Sequence, residues 1–108
     1  MLDRKNSVVI LGSSKTCMEI EPYMKDCADI TKYLVQNGFY IIHGCGVNGI
    51  MGVTYKTAAQ YSKKVDNKPV QNLSIIRTPL WGDEDLDNCV IIDKAKTEAE
   101  RLHKFMHI

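Results

Sequence analysis

Phe39-Tyr40-Ile41-Ile42-His43-Gly44-Cys45-Gly46-Val47-Asn48-Gly49-Ile50-Met51-Gly52 is the stretch on which the fold turns. Phe39 to Ile42 are aromatic or β-branched, the pattern of a buried strand. Glycines follow at 44, 46, 49 and 52, and the run from Val53 to Lys63 is compatible with a helix. Strand, glycine loop and helix in that order are the layout of a phosphate site. Glycine lets the backbone take a positive φ and come close to a ligand. A helix start offers N–H groups without intrahelical partners and the positive end of a dipole, which suits an anion. One glycine would be explained by a tight turn. Several between a strand and a helix point to phosphate binding.

Upstream, Ser7-Val8-Val9-Ile10-Leu11 reads as a strand and Gly12-Ser13-Ser14 follows at once. Small residues and hydroxyls at the carboxyl end of a strand sit where open α/β sheets bind ligands, and a plain turn explains them equally well. Glu21-Pro22 breaks the chain or starts a helix, since proline suits a first turn. Over Tyr23 to Asn37, residues Met24, Cys27, Ala28, Ile30, Thr31 and Leu34 recur at helical spacing and predict one buried stripe. Asn37-Gly38 predicts the stop.

Downstream, Val53, Tyr55, Ala58, Ala59 and Tyr61 decorate the second predicted helix. The polar run from Ser62 to Pro69 reads as an exposed connection. Leu73 to Arg77 and Cys89 to Asp93 read as strands, joined by a loop in which Trp81 either covers a ligand or simply packs. Thr97-Glu98-Ala99-Glu100 is a capping box, and Ala99, Leu102, Phe105 and Met106 give the last helix its expected apolar side.

The pattern β-α-β-α-β-β-α over 1–108 predicts one domain, a parallel sheet covered on both faces in three αβα layers. Right-handed crossovers with two-sided cover predict the strand order 3-2-1-4, with both glycine-bearing loops at the carboxyl edge. The 44% hydrophobic and 25% charged content is that of a soluble globular domain. A net charge of +1 gives no general pull toward nucleic acid or membrane. The apolar runs fall far short of the roughly 20 residues that a membrane helix needs. Met1-Leu2-Asp3-Arg4-Lys5 leads into no apolar signal core. Cys17, Cys27, Cys45 and Cys89 form no CxxC pair, so no metal is expected, and free thiols fit the cytoplasm.

These motifs resemble those of the LOG (Lonely Guy) family, also labelled lysine decarboxylase-like. Its members read strand-GSS near the start and later strand-GGG-x-x-GLMG. Val8-Val9-Ile10-Leu11-Gly12-Ser13-Ser14 and Gly44-Cys45-Gly46-Val47-Asn48-Gly49-Ile50-Met51-Gly52 stand in those places. The family then carries a helix with an arginine, usually in E-R-K. Glu100-Arg101 fits, with Leu102 where lysine is usual and Lys104 nearby. The resemblance spans nearly the whole chain. It implies a Rossmann-like fold, a dimer, and hydrolysis of the N-glycosidic bond of nucleoside 5′-monophosphates to a base and ribose 5-phosphate. It implies that Gly12, Ser13 and Ser14 line the nucleotide pocket and that Gly44, Gly46, Gly49, Met51 and Gly52 hold the phosphate end. Arg101 matches the active-site arginine. No cofactor beyond the nucleotide is implied.

The sequence also departs from that family. The second signature, PGGxGTxxE, supplies another phosphate loop and the catalytic glutamate, and it does not occur within the 108 residues. Cys45 stands where a glycine is usual, and His43 where tyrosine is common; a strand-end histidine also has a structural reading. Losing an acid group lowers a rate by roughly 10²–10⁴-fold. The expectation is therefore a LOG-like nucleotide-binding domain, truncated relative to the family and weak or inactive alone. An NADP-binding oxidoreductase domain is an alternative, because Gly44 to Gly49 matches G-x-G-x-x-G and the next strand ends at Arg77 rather than at an acid. A nucleotide sensor or assembly subunit is another, with a second copy or a partner chain completing an open sheet edge.

Overall fold

A computed structural model describes residues 6–11, 21–44, 46, 48–78, 80 and 86–107. In chain order the elements are β1 (Ser7–Val9), α1 (Glu21–Gln36), β2 (Tyr40–His43), α2 (Gly49–Tyr61), β3 (Lys64–Val65), β4 (Lys68–Pro69), β5 (Asn72–Arg77), β6 (Val90–Ala95) and α3 (Glu98–Met106). The main sheet is parallel throughout, with Val8 opposite Ile41, Ile42 opposite Leu73 and Ser74 opposite Ile91. Helices cover both faces, so the fold is a Rossmann-like αβα sandwich.

The strand order is β1-β2-β5-β6. Counting the four long strands along the chain, this is 1-2-3-4 and corrects the expected 3-2-1-4. That expectation took two-sided cover to require a reversal of winding at the first strand. Here the chain steps in one direction, so the crossovers through α1 and α2 stay on one face, where α1 packs on α2. The opposite face is covered by α3, which enters from the end of β6. Two-sided cover thus needs no reversal.

Period-two alternation sends neighbouring side chains of β2 to opposite layers. Ile41 joins Val35 and Ala58 under the α1–α2 pair, while Ile42 joins Leu73, Ile75 and Phe105 under α3. A further cluster of Tyr55, Ile76 and Cys89 closes the α2 layer. A strand buried on both faces reads as a continuous apolar run, which is why Tyr40 to Ile42 is so legible.

The helix ends follow their residues. Pro22 lies in the first turn of α1. Gly38 takes φ +86°, its amide donates to Val35 O and that of Phe39 to Leu34 O (both 3.0 Å), a glycine-terminated stop. The buried stripe of α1 is corrected in one place: Thr31 and Val35 face inward, while Ile30 is 57% exposed. A stripe centred on Thr31 leaves Ile30 a hundred degrees away, toward solvent. The connection 62–69 holds a small hairpin, β3–β4, exposed except for the buried Pro69; its turn residues Asp66 and Asn67 have φ of 51° and 66°. β6 carries a bulge, because Ser74 faces Ile91 but Ile75 faces Asp93.

The apolar side expected of α3 is also corrected. Arg101 and Phe105 are the buried residues, and Leu102 and Met106 are exposed. Phe105 anchors the helix against Ile42, Leu73 and Ile75, and Arg101 lies one turn before it on the same face. Thr97 Oγ1 accepts from the Glu100 amide (3.1 Å), and Glu100 Oε2 accepts from the Lys96 amide (3.1 Å), so the cap forms with its return bond one residue early.

Ile42 is fully buried between two neighbouring strands. Ile42→Ala should lower the unfolding free energy by about 2–5 kcal/mol, read from urea denaturation.

Candidate functional site

At the carboxyl ends of β1 and β2 lies a cavity of about 210 Å³. Its walls come from Ile10 and Leu11 after β1, Gly44 after β2, Met51 of α2, and Glu98, Arg101, Leu102 and Phe105 of α3. Of the residues that the sequence assigns to a site, Gly44, Met51 and Arg101 meet here. Gly12, Ser13 and Ser14 lie outside the described residues, as does Trp81, although Leu11, which precedes Gly12, lines the cavity. Gly46, Gly49 and Gly52 are buried beside it and do not line it.

Arg101 turns inward from the first turns of α3, with its side chain only 8% exposed. Its Nη2 donates to Glu98, 3.0 Å from Oε1 and 3.1 Å from Oε2. The guanidinium carbon stands 6.0 Å from the centre of the Phe105 ring. Glu98 is a functional candidate that the sequence reading left out of the site; its signal was the i, i+3 spacing to Arg101.

The glycines have reasons the sequence did not show. A Cβ on Gly44 would stand 3.1 Å from Arg101 Nη1 and 3.1 Å from Met51 Cε. A Cβ on Gly46 would stand 2.5 Å from Met51 Sδ. These two glycines make room for the protein's own thioether and guanidinium. Gly49 takes φ +63°, which an L side chain rarely adopts. α2 begins there rather than at Val53, so Gly49, Met51 and Gly52 are helical. The start is open in chemical terms. Asn48 makes no side-chain cap, the Gly52 amide donates to Asn48 O (2.9 Å), and the first turn holds no acid. Such an end is hospitable to an anion, and Met51 in that first turn carries it to the cavity wall.

His43 is structural. It is fully buried, faces the α2 layer and does not line the cavity. Its Nε2–H donates to Asn72 Oδ1, and its ring meets Tyr55 edge-on at 5.8 Å. Asn72 Nδ2 donates to Asn88 O (2.7 Å) and Tyr55 O (3.3 Å), which fixes the orientation of its amide. Burial lowers the His43 pKa from 6.5 to about 4, against a smaller upward pull from the Asn72 bond.

Among the described residues, no three His, Cys, Asp or Glu side chains gather as a metal site, and no helix is long and apolar enough to cross a membrane. Cys27 and Cys89 are free thiols. Compared with known proteins, the chain matches no family model and no curated protein.

The His43 shift carries a sign. The unfolded chain takes up the proton at higher pH than the folded one, so stability is full above pH 6.5 and falls as pH drops toward 4. The loss across that window should approach about 3 kcal/mol in urea titrations, and it should vanish in His43→Gln. Gly46→Ala should destabilise by about 1–3 kcal/mol through the Met51 clash, and far less in a Met51→Ala background, a coupling that a double-mutant cycle reads directly.

Proposed function

We propose that this chain is a LOG-like nucleotide-binding protein, related to the hydrolases that split nucleoside 5′-monophosphates into a base and ribose 5-phosphate. The observation that carries the reading is the convergence of Gly44, Met51 and Arg101 on one cavity at the carboxyl edge, beside the residue that precedes Gly12. Ligands of open α/β sheets bind at that edge. A cavity of about 210 Å³ is below the ~300–1,000 Å³ that encloses a drug-sized ligand, so it takes one part of a nucleotide. The open start of α2 takes the phosphate.

The reading is of binding with little turnover. Glycoside cleavage proceeds through an oxocarbenium-like centre and needs carboxylates to protonate the leaving group or activate water. Arginine cannot be deprotonated in proteins, so Arg101 orients the ligand and cannot act as the base. Glu98 is engaged by Arg101, and Glu100 by the Lys96 amide. The cytoplasm is the proposed compartment, and a second copy or a partner chain beside a sheet edge is the proposed assembly.

Calorimetry should show AMP binding to the purified chain in preference to NADP⁺, weakened about tenfold or more in Arg101→Ala. Release of adenine from AMP should be slow. Robust turnover abolished by Arg101→Ala would show that an acid within this chain does the work, and absence of AMP binding would reject the proposal.

A further inference from the structure

Asn-Gly occurs twice in the chain, at Asn37-Gly38 and at Asn48-Gly49. The dipeptide is open to loss of its side-chain amide, because glycine has no Cβ to shield its backbone nitrogen from the asparagine before it. In that step the glycine nitrogen gives up its proton and attacks Cγ of the asparagine. A C–N bond forms and the Cγ–Nδ2 bond breaks. Nδ2 leaves as ammonia with the proton, and a five-membered imide remains. Water then opens the imide at either carbonyl, to aspartate or its β-linked isomer. The balance is asparagine plus water to acid plus ammonia, so no other reactant is needed.

Both asparagines are exposed, and both glycines have a positive φ, +86° at Gly38 and +63° at Gly49. The backbone therefore favours glycine at each place. What differs is the end of the helix on which each pair sits. Asn37-Gly38 closes α1. Asn37 Nδ2 donates to Tyr33 O (2.7 Å) and the Gly38 amide to Val35 O (3.0 Å), so the leaving group and the attacking nitrogen are both bonded. Turning about the Asn37 Cα–C bond to bring nitrogen and Cγ together would break the helix stop. The last turn of α1 holds no basic residue, so the negative end of its dipole opposes a nitrogen that must become anionic.

Asn48-Gly49 opens α2, and the same factors are reversed. Asn48 makes no side-chain cap bond. Gly49 is the first helical residue, so its amide is one of the four that a helix start leaves without an intrahelical acceptor. The first turn holds no acid, so the positive end of the dipole favours both the deprotonated nitrogen and the oxyanion that forms at Cγ. Gly49 is buried, but the bond it forms is to its own neighbour, whose side chain is exposed to the water that opens the imide. We propose that Asn48 is a deamidation site of the folded protein, and that Asn37, in the same dipeptide, is protected by the end of α1. Each product replaces an amide by a carboxylate at the start of α2 and lowers the formal net charge of +1 by one, so ion exchange separates it from the parent chain.

The test holds the whole chain in mildly alkaline buffer, folded and in denaturing urea, and follows acid formation at positions 37 and 48 by peptide mapping with mass spectrometry. Circular dichroism checks that the sample in buffer stays folded. In the folded chain Asn48 should convert about tenfold or more faster than Asn37, the size expected of the two hydrogen bonds that hold Asn37 Nδ2 and the Gly38 amide. In urea, where both helices are lost, the gap should close to within about threefold. Asn48→Ser, which keeps a capping residue, should abolish the fast-forming acidic species on ion exchange and leave conversion at Asn37 unchanged. A smaller gap in the folded chain overturns the proposal, as does an Asn48 that stays intact when folded while both sites convert in urea. A gap that persists in urea overturns it as well, because its cause would then lie in the flanking sequence and not in the helix ends.

Discussion

The burial of the Arg101 guanidinium constrains everything around it. Taking a charge out of water is costly unless it is paired and hydrogen-bonded. Among the described residues, three features help to meet that demand. Glu98, three residues back on the same helix, supplies the countercharge, and the Phe105 ring lies beneath the guanidinium. The third contribution is a vacancy: Gly44 has no Cβ where Nη1 comes to rest. One side chain of α3 thereby lies close against the residue that follows β2. Met51 imposes the same kind of limit from α2, since its thioether fills the volume beside Gly44 and over Gly46. The glycine spacing that reads as a phosphate loop is, at those two positions, the imprint of two large side chains packed into a sheet edge.

The opposite layer is organised by polar groups rather than by a charge. Asn72 bridges His43, the Tyr55 carbonyl and the Asn88 carbonyl, so one amide ties β2, α2 and the approach to β6. The preceding residue does the same for the amino edge. Gln71 Nε2 donates to Val35 O and Phe39 O, and its Oε1 accepts from the Lys63 amide. Side chain to backbone bonds of this kind punish any slip of register, because a shifted strand would bury the same amides without partners. β5 is therefore pinned at its start by hydrogen bonds and along its length by Leu73, Ile75 and Ile76.

What the sequence made legible were features written in local periods. The β2 run, the glycine stop at Gly38, the Thr97 cap and the parallel αβα class all rest on spacing and on residues with one strong preference. What it hid were choices made between elements. Ile30 and Thr31 are equally plausible members of a helical stripe, and only the packing of α1 on α2 decides between them. Leu102 and Met106 look more suited to burial than Arg101, and the order reverses because Phe105 sets the rotation of α3. The strand order depends on which face each crossover takes, which no single segment encodes. The pairing of Glu98 with Arg101 is hidden for the same reason: an i, i+3 pair matters only once its arginine is seen to point inward.

The cavity lies beside an edge of the sheet. Among the described residues β1 pairs with β2 alone, so it is an edge strand, and the cavity opens beside its carboxyl end. Leu11 there is 56% exposed and belongs to two surfaces at once. On one side it walls the cavity with Leu102 and Phe105. On the other it borders an apolar groove of about 450 Å³ formed with Tyr23, Ile30 and Ile50. The inner side of the cavity is formed by Arg101 and Met51, and the outer side by a residue that is itself half in water. Solvent at that wall weakens every electrostatic contact inside, since the same hydrogen bond is stronger at low dielectric. A surface that buried Leu11 would close the groove and lower the dielectric around the Arg101–Glu98 pair, which would strengthen that pair.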